Sequence, residues 1–298
     1  MDVSHYAKQH AFGYAYASTY VLSEDKDRHV FDDDIDVLWV IGWQRLVPAW
    51  VLAKIKVASI GVHGSPDGIM QGRGRSPQNW ALLLGCPSFR LALFLLTAEM
   101  DDGALLLESD FAYHEGDTIV TSYKKAALCC GQMMIHLLSN PEKITQNAVE
   151  QKGESFYFPQ RKASDAGIDW SQSCQSILNV CRAQTKPYPG AFTEQDGVKI
   201  SIWSCQKLDA NVTADNGRIC HVFWDGHFLV QASDGRILVT DWEANDPSWQ
   251  AVAQSQLSSA SYAQQITTIV ARHQKKHPSM ALNARIQASI EMRKDHEQ

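Results

Sequence analysis

The chain has 298 residues, 45% of them hydrophobic and 20% charged, with 33 Asp and Glu against 27 Lys and Arg for a formal net charge of -6. That balance excludes a chain-wide basic footprint for nucleic acid, and no run approaches the roughly 18 apolar residues of a membrane-spanning helix. Length and composition are those of a globular protein with one large domain or two modest ones and a sizeable core.

The N-terminus, MDVSHYAKQH, lacks the charged-then-apolar layout of a secretory leader, and the seven cysteines are scattered with no CxxC pair. Both features predict a cytoplasmic protein with free thiols. Residues 5–22 read as a helix followed by a short strand, AYASTYVL, and the acidic stretch 24–36 as a solvated face. DVLWVIGW is almost continuously apolar, which predicts a strand covered on both sides. Leu46 to Ala53 is a turn into a short helix with Pro48 near its start. Val57 to Val62 is a second buried strand that ends at His63. After a Gly- and Arg-rich loop, Ser76 supplies a capping hydroxyl and Pro77 the first position of a helix that Gly85 ends. FRLALFLLTA and ALLLESDFAY are strands around the tight turn EMDDG, and Asp117 and Thr118 cap a long helix stopped at Asn140-Pro141. Strands alternating with helices predict an open α/β sheet.

From residue 154 the character changes. An irregular stretch leads to a helix over 171–183, then to the turn-rich KPYPGAF. Residues 198–243 carry short alternating strands split by Asp-Gly and Asn-Gly turns, the pattern of a small antiparallel barrel. The tail from residue 262 is helical, with Arg272, Lys275, Lys276, Arg285, Arg293 and Lys294. The expected division is 1–153 as the α/β catalytic domain, 154–197 as connector, 198–261 as the β subdomain and 262–298 as the helical tail.

Ligands of open α/β sheets bind beyond the carboxyl ends of the strands. His63 lies at such an end and Asp101 in the turn after the next strand. An imidazole and a carboxylate meeting there share a proton, and the ring then works as a general base near neutral pH. The loop Gly72 to Pro77 precedes a helix N-terminus, whose free N–H groups attract anionic or carbonyl oxygens. A hydrolase triad through Ser65 is disfavoured, because Ser65 lacks the G-x-S-x-G elbow. Trp39, Trp43, Trp80, Met133 and Met134 read as core, and Tyr188 and Phe192 as anchors of the connector. His114 and His136 show no metal-ligand spacing, and no metal is implied.

Four motifs follow one another in order: VIGWQRLVP over 40–48, HGS at 63–65 with RGRSPQNWAL over 73–82, MDDGALLL over 100–107 and KPYPGAF over 186–192. Together they resemble the formyltransferase family that uses 10-formyltetrahydrofolate, whose members include methionyl-tRNA formyltransferase and the enzymes that formylate amino sugars. The resemblance covers roughly residues 36–205, with the β segment similar to the barrel that follows in that family. It implies a Rossmann-like sheet, an OB-like barrel and transfer of a formyl group to a primary amine. By resemblance His63 and Asp101 are the catalytic pair, and Gly42, Trp43, Gln44, Arg45, Leu46, Val47, Pro48 and Gly61 line the site of the pterin ring. Ser65, Arg73, Gly74, Arg75, Ser76 and Asn79 frame the substrate side of the same cleft.

Two departures stand out. The family's asparagine, which donates to the formyl oxygen two residues before the histidine, is Gly61 here; Asn79, a water or backbone N–H groups would have to replace it. The family also opens with a strand, a glycine turn, a helix and a second strand ahead of the point where this chain begins. Without them, exposed sheet edges invite pairing with another chain, as in a homodimer. Between 206 and 246, Asp209, Asp215, Asp225, Asp234, Asp241, Glu243 and Asp246 outnumber Lys207, Arg218 and Arg236, which disfavours tRNA. A nucleotide-linked amino sugar is the preferred acceptor, with Arg73 or Arg75 suited to its phosphate. A tRNA formyltransferase and a catalytically impaired folate-binding homologue are the alternatives.

Overall fold

The computed structural model describes residues 3–208 and 214–294, with side chains through residue 290; Asp209 and the side chains of Arg293 and Lys294 lie outside the described residues. The N-terminal elements are α1 (Ser4–Gln9), α2 (Glu24–Asp27), β1 (Val37–Val40), α3 (Ala49–Leu52) and β2 (Ala58–Ser65). Then come β3 (Arg73–Gly74), α4 (Pro77–Leu83), β4 (Ser88–Leu95), β5 (Leu105–Ala112), α5 (Ile119–Leu138), β6 (Phe156–Phe158) and α6 (Cys174–Gln184). The remainder is β7 (Ala191–Gln195), β8 (Val198–Leu208), β9 (Ile219–Val222), β10 (Phe228–Ala232), β11 (Gly235–Ala244), α7 (Tyr262–Lys276), β12 (Ala281–Leu282) and α8 (Ala284–Lys294).

One sheet has the order β1-β2-β4-β5. β1 and β2 are parallel, with Val37 opposite Ala58 and Val40 opposite Gly61. β4 runs against β2: the Leu96 amide donates to Ser59 O at 2.8 Å, while Gly64 abuts Arg90 O and Leu91. β5 folds back on β4 through a hairpin in which the Leu95 amide donates to Ala104 O at 2.8 Å.

The chain divides into two compact units. The first comprises Met1–His63, Ala92–Glu108 and Met133–Lys152. Its core is Leu22, Phe31, Val47 and Val51, with Leu38, Val40, Trp43, Trp50 and Leu96 packed around them. The sequence stretch AYASTYVL forms turns rather than a strand. β1 is an edge strand and its four residues are all half-buried, not covered on both faces. Asp27, read as part of a solvated face, is fully buried. Its carboxylate accepts from the Thr19 amide at 3.1 Å and from the Ser18 amide and the Thr19 hydroxyl, tying residues 18–19 to the helix. An ionised carboxylate surrounded by donors substitutes for water, which makes that burial tolerable.

The second unit comprises Gly64–Leu91, Ser109–Gln132 and Gly153–Gln298. Its centre is a five-stranded antiparallel sheet of order β7-β8-β11-β10-β9. Ile200, Ile202, Phe228, Val230, Ile237 and Val239 are fully buried, at alternating strand positions, and pack with Trp170 and Ile177. Burial of each such side chain is worth roughly 1.5–3 kcal/mol. Residues 254–258 bridge both edges: the Ser258 amide donates to Glu194 O at 2.7 Å, and the Gln254 amide to Ile219 O at 2.8 Å. This segment links the β7 and β9 edges and closes the sheet into a small barrel. α6 begins at a true cap, with Ser173 accepting from the Ser176 amide.

Two local readings change here. Arg73 and Gly74 are not loop; they form a strand parallel to β6, which pairs in turn with β12. Ser76 does not cap α4 with its hydroxyl, because it sits in the left-handed region at φ 62°; its carbonyl instead accepts from the Trp80 amide at 3.0 Å. All seven cysteines are free. Among the described residues no helix is long and apolar enough to cross a membrane, and no cluster of ligating side chains could hold a metal ion.

Candidate functional site

The first unit carries an open cleft of about 440 Å³. Its walls are Val40, Trp43, Arg45, Leu46 and Val47 on one side, Gly61 and Val62 at the floor, and Phe94, Leu96, Thr97, Glu99 and Asp101 on the other. The floor comes from β2 and the far wall from the end of β4 and its turn. The near wall is the chain that leaves β1 and enters α3, where Val47 is buried to anchor it.

His63 projects from β2, which continues through it to Ser65 instead of ending there. β4 is antiparallel to β2 and ends beside Ser59, and the turn that follows folds back to bring Asp101 to this histidine. His63 Nδ1 and Asp101 Oδ2 stand 3.7 Å apart, with their side chains 11% and 20% exposed. That distance exceeds a hydrogen bond, yet catalytic hydrogen bonds are often long before substrate is bound.

The turn that carries Asp101 is tightly specified. Asp101 itself has φ 54°, in the left-handed region. A Cβ on Gly103 would lie 1.7 Å from Leu95 O, so only glycine lets the hairpin close. Thr97 Oγ1 donates to Asp102 and accepts from the Glu99 amide at 3.1 Å. The Gln151 side-chain amide donates to both Asp101 O, at 2.9 Å, and Gly103 O, at 2.7 Å.

The near wall is braced from outside. Tyr20 packs on Trp43 with ring centroids 4.6 Å apart, Arg45 lies 5.6 Å over the Tyr20 ring, and the Tyr20 hydroxyl accepts from the Gln44 amide at 3.2 Å. Of the eight expected ring-binding positions, Trp43, Arg45, Leu46, Val47 and Gly61 line the cleft, whereas Gly42, Gln44 and Pro48 do not. Pro48 instead sits at the N-cap of α3. Gly61 is packed shut: an added Cβ would lie 2.7 Å from Leu96 Cδ2 and 2.8 Å from the Phe94 ring.

The positions expected on the substrate side belong to the second unit, where several are committed to the fold. Ser65 is fully buried; its hydroxyl donates to Gly68 O at 2.9 Å and accepts from the Asp67 amide at 3.1 Å. Asn79 is buried and donates to Ala183 O at 2.6 Å, so its amide is already spent on packing α4 to α6. Arg73 is 7% exposed and contacts Met70 Sδ. Gly74, at φ 97°, lies so close to β6 that a Cβ would come within 2.7 Å of Phe158 O. Arg75 donates its amide to Phe158 O at 3.3 Å. Residue spacing missed Gln151, Phe94 and Leu96 at the site, since each is brought there by pairing across distant segments.

The sequence profile of the formyl transferase C-terminal domain matches residues 161–254, the span that builds the barrel. The bifunctional polymyxin resistance protein ArnA of Wigglesworthia glossinidia brevipalpis is 34% identical over 172 residues, 56% of this chain. The chain is similar to proteins of the formyltransferase family. It spans 26% of the ArnA length. Among solved structures, the chain is similar to HypX from Aquifex aeolicus in complex with tetrahydrofolic acid, with a TM-score of 0.58 and 17% identity over 80% of this chain and 39% of that one. It is also similar to the N-formyltransferase from Helicobacter canadensis in complex with folinic acid and dTDP-3-aminofucose, with a TM-score of 0.54 and 16% identity over 79% and 81% of the two chains. These two likenesses establish the fold: an α/β sheet followed by an antiparallel β subdomain.

Proposed function

We propose that this chain transfers a formyl group from 10-formyltetrahydrofolate to the primary amine of a small acceptor, a nucleotide-linked amino sugar in the first instance. The observation that carries this reading is the pairing of His63 with Asp101, a residue that lines an open cleft, in a chain similar to formyltransferases. The apolar side chains of Val40, Trp43, Val47, Phe94 and Leu96 line that cleft and suit a fused heterocycle. The donor supplies a formyl carbon bonded to an aryl amine nitrogen, which is a competent leaving group once protonated.

The acceptor amine attacks the formyl carbon while His63 accepts a proton from the attacking nitrogen. Asp101 orients the ring and stabilises its charged form, the arrangement that lets an imidazole work near neutral pH. The carbon–nitrogen bond to the donor then breaks, with His63 returning the proton to the departing nitrogen. The products are a formamide and tetrahydrofolate, and no proton or electron is left over. Gly61 contributes no side-chain donor to the developing oxyanion, and its neighbours leave no space for one. The acidic balance of the barrel supports a small acceptor over tRNA, since phosphate backbones bind by releasing counterions to basic surfaces.

The test is a mass-spectrometric assay of the purified protein with 10-formyltetrahydrofolate and a panel of nucleotide-linked amino sugars. A formylated sugar product supports the reading. Formylation of charged initiator tRNA alone overturns the acceptor, and no product with any amine overturns the activity.

A further inference from the structure

We infer that Gln151 is a positioning residue that holds Asp101 against His63. Its amide group donates at once to Asp101 O and to Gly103 O, at 2.9 and 2.7 Å. These carbonyls flank the segment whose backbone departs from the ordinary, with Asp101 at φ 54°. A left-handed aspartate costs on the order of 1 kcal/mol relative to the right-handed region, so the conformation needs support from outside the turn. Thr97 and Asp102 cross-link the base of the turn, but neither reaches the two carbonyls that set the direction of the Asp101 side chain.

Gln151 is itself held in place. Val149 and Leu105 form an antiparallel bridge with reciprocal amide bonds of 2.8 Å, which seats the chain two residues before Gln151 at the start of β5. The side chain then reaches back over the hairpin. Residue, bridge and turn all lie within the first unit. Loss of the two bonds frees Asp101 to relax toward the right-handed region, and its carboxylate then swings away from a ring that it meets only at 3.7 Å. A displacement of about 1 Å at such a pair is enough for a loss of about 10²-fold.

The inference rests on the formyl-transfer reading for its kinetic arm, so the experiment has a second arm that does not. Two variants of the full chain, Gln151→Met and Gln151→Glu, are compared with Asp101→Asn and with the doubles that add Asp101→Asn. Met keeps the volume and removes both donors; Glu keeps the length and turns a carboxylate on two carbonyls. In the first arm, the His63 ring signals are followed by NMR at fixed pH, without any substrate. Both Gln151 variants are expected to shift these signals toward their position in Asp101→Asn, and the doubles to add nothing. In the second arm, kcat for formyl transfer falls about 10- to 100-fold with the KM for the folate donor unchanged. Thermal unfolding checks that each variant is folded; if one is not, the other carries the test. A folded Gln151→Met with wild-type His63 signals overturns the inference. An inactive wild type with the expected NMR shifts sinks the formyl-transfer reading and leaves the positioning role standing.

Discussion

Gly61→Asn introduces the side chain that the resemblance to folate-dependent formyltransferases implies at this position, and the packing around Gly61 dictates what it does. The new Cβ would lie 2.7 Å from Leu96 Cδ2 and 2.8 Å from the Phe94 ring, about 1 Å inside ordinary carbon–carbon contact. Phe94 is 3% exposed and cannot retreat into solvent, whereas Leu96 is half-buried and can turn outward. Overpacking of this kind costs about 1–3 kcal/mol, which lowers Tm by roughly 2–10 °C in a chain of this size. Differential scanning calorimetry of Gly61→Asn, Leu96→Ala and the double variant forms a cycle. The double is expected to be more stable than the sum of the singles by about 1 kcal/mol, because the truncated leucine makes room. In the double, the added amide also becomes available to the oxyanion, and a donor of that kind is worth on the order of 3 kcal/mol in rate. A Tm for Gly61→Asn indistinguishable from wild type would show that the pocket beside Gly61 is not closed, and the reasoning would fail.

Gly103→Ala places a methyl group 1.7 Å from Leu95 O; it is expected to lower Tm by more than about 10 °C or to abolish soluble expression, and a Tm near wild type would refute the tight hairpin. Asp117 is buried, which would raise its carboxyl, but the Lys125 ammonium, the His114 amide and the Thr121 hydroxyl hold it below the ordinary carboxylate range. A carboxyl depressed in the folded state stabilises above about pH 4 and loses that contribution as the pH falls through its folded value. Asp117→Asn is therefore expected to cost roughly 1–3 kcal/mol at neutral pH and to flatten the acid limb of a urea-unfolding series; an unchanged pH dependence would contradict it.

Much of the architecture was legible because it depends on local pattern. β4 and the strands of the barrel alternate or run apolar between Gly and Asp turns, and their burial follows that pattern. What pattern could not supply was pairing. Arg73 and Gly74 look like a loop until Tyr157 and Phe158 of β6, far along the chain, offer their backbone. Ser76 has a capping hydroxyl, but the left-handed backbone ahead of Pro77 turns it away from the helix amides. Asp27 lies in an acidic run whose other members are mostly solvated, and only the fold of residues 18–19 over it explains its burial. At the site, His63 and Asp101 were legible by motif, and the structure brings them together. Arg73 and Asn79 carry suitable chemistry in the same motif, yet packing takes the first into a strand and the second into a bond with Ala183. Gln151 sits in an unremarkable polar stretch; only the bridge between Val149 and Leu105 aims it.

The central claim is that His63 and Asp101 work as one unit in formyl transfer. The most direct measurement is single-turnover formation of the formamide from 10-formyltetrahydrofolate by wild type, His63→Ala, Asp101→Asn and the double variant, with donor affinity measured separately by fluorescence quenching. Each single variant is expected to lose about 10²–10⁴-fold in rate with donor affinity retained, and the double to be no slower than His63→Ala alone. Losses that multiply in the double variant, or a His63→Ala protein that turns over like wild type, would contradict the account.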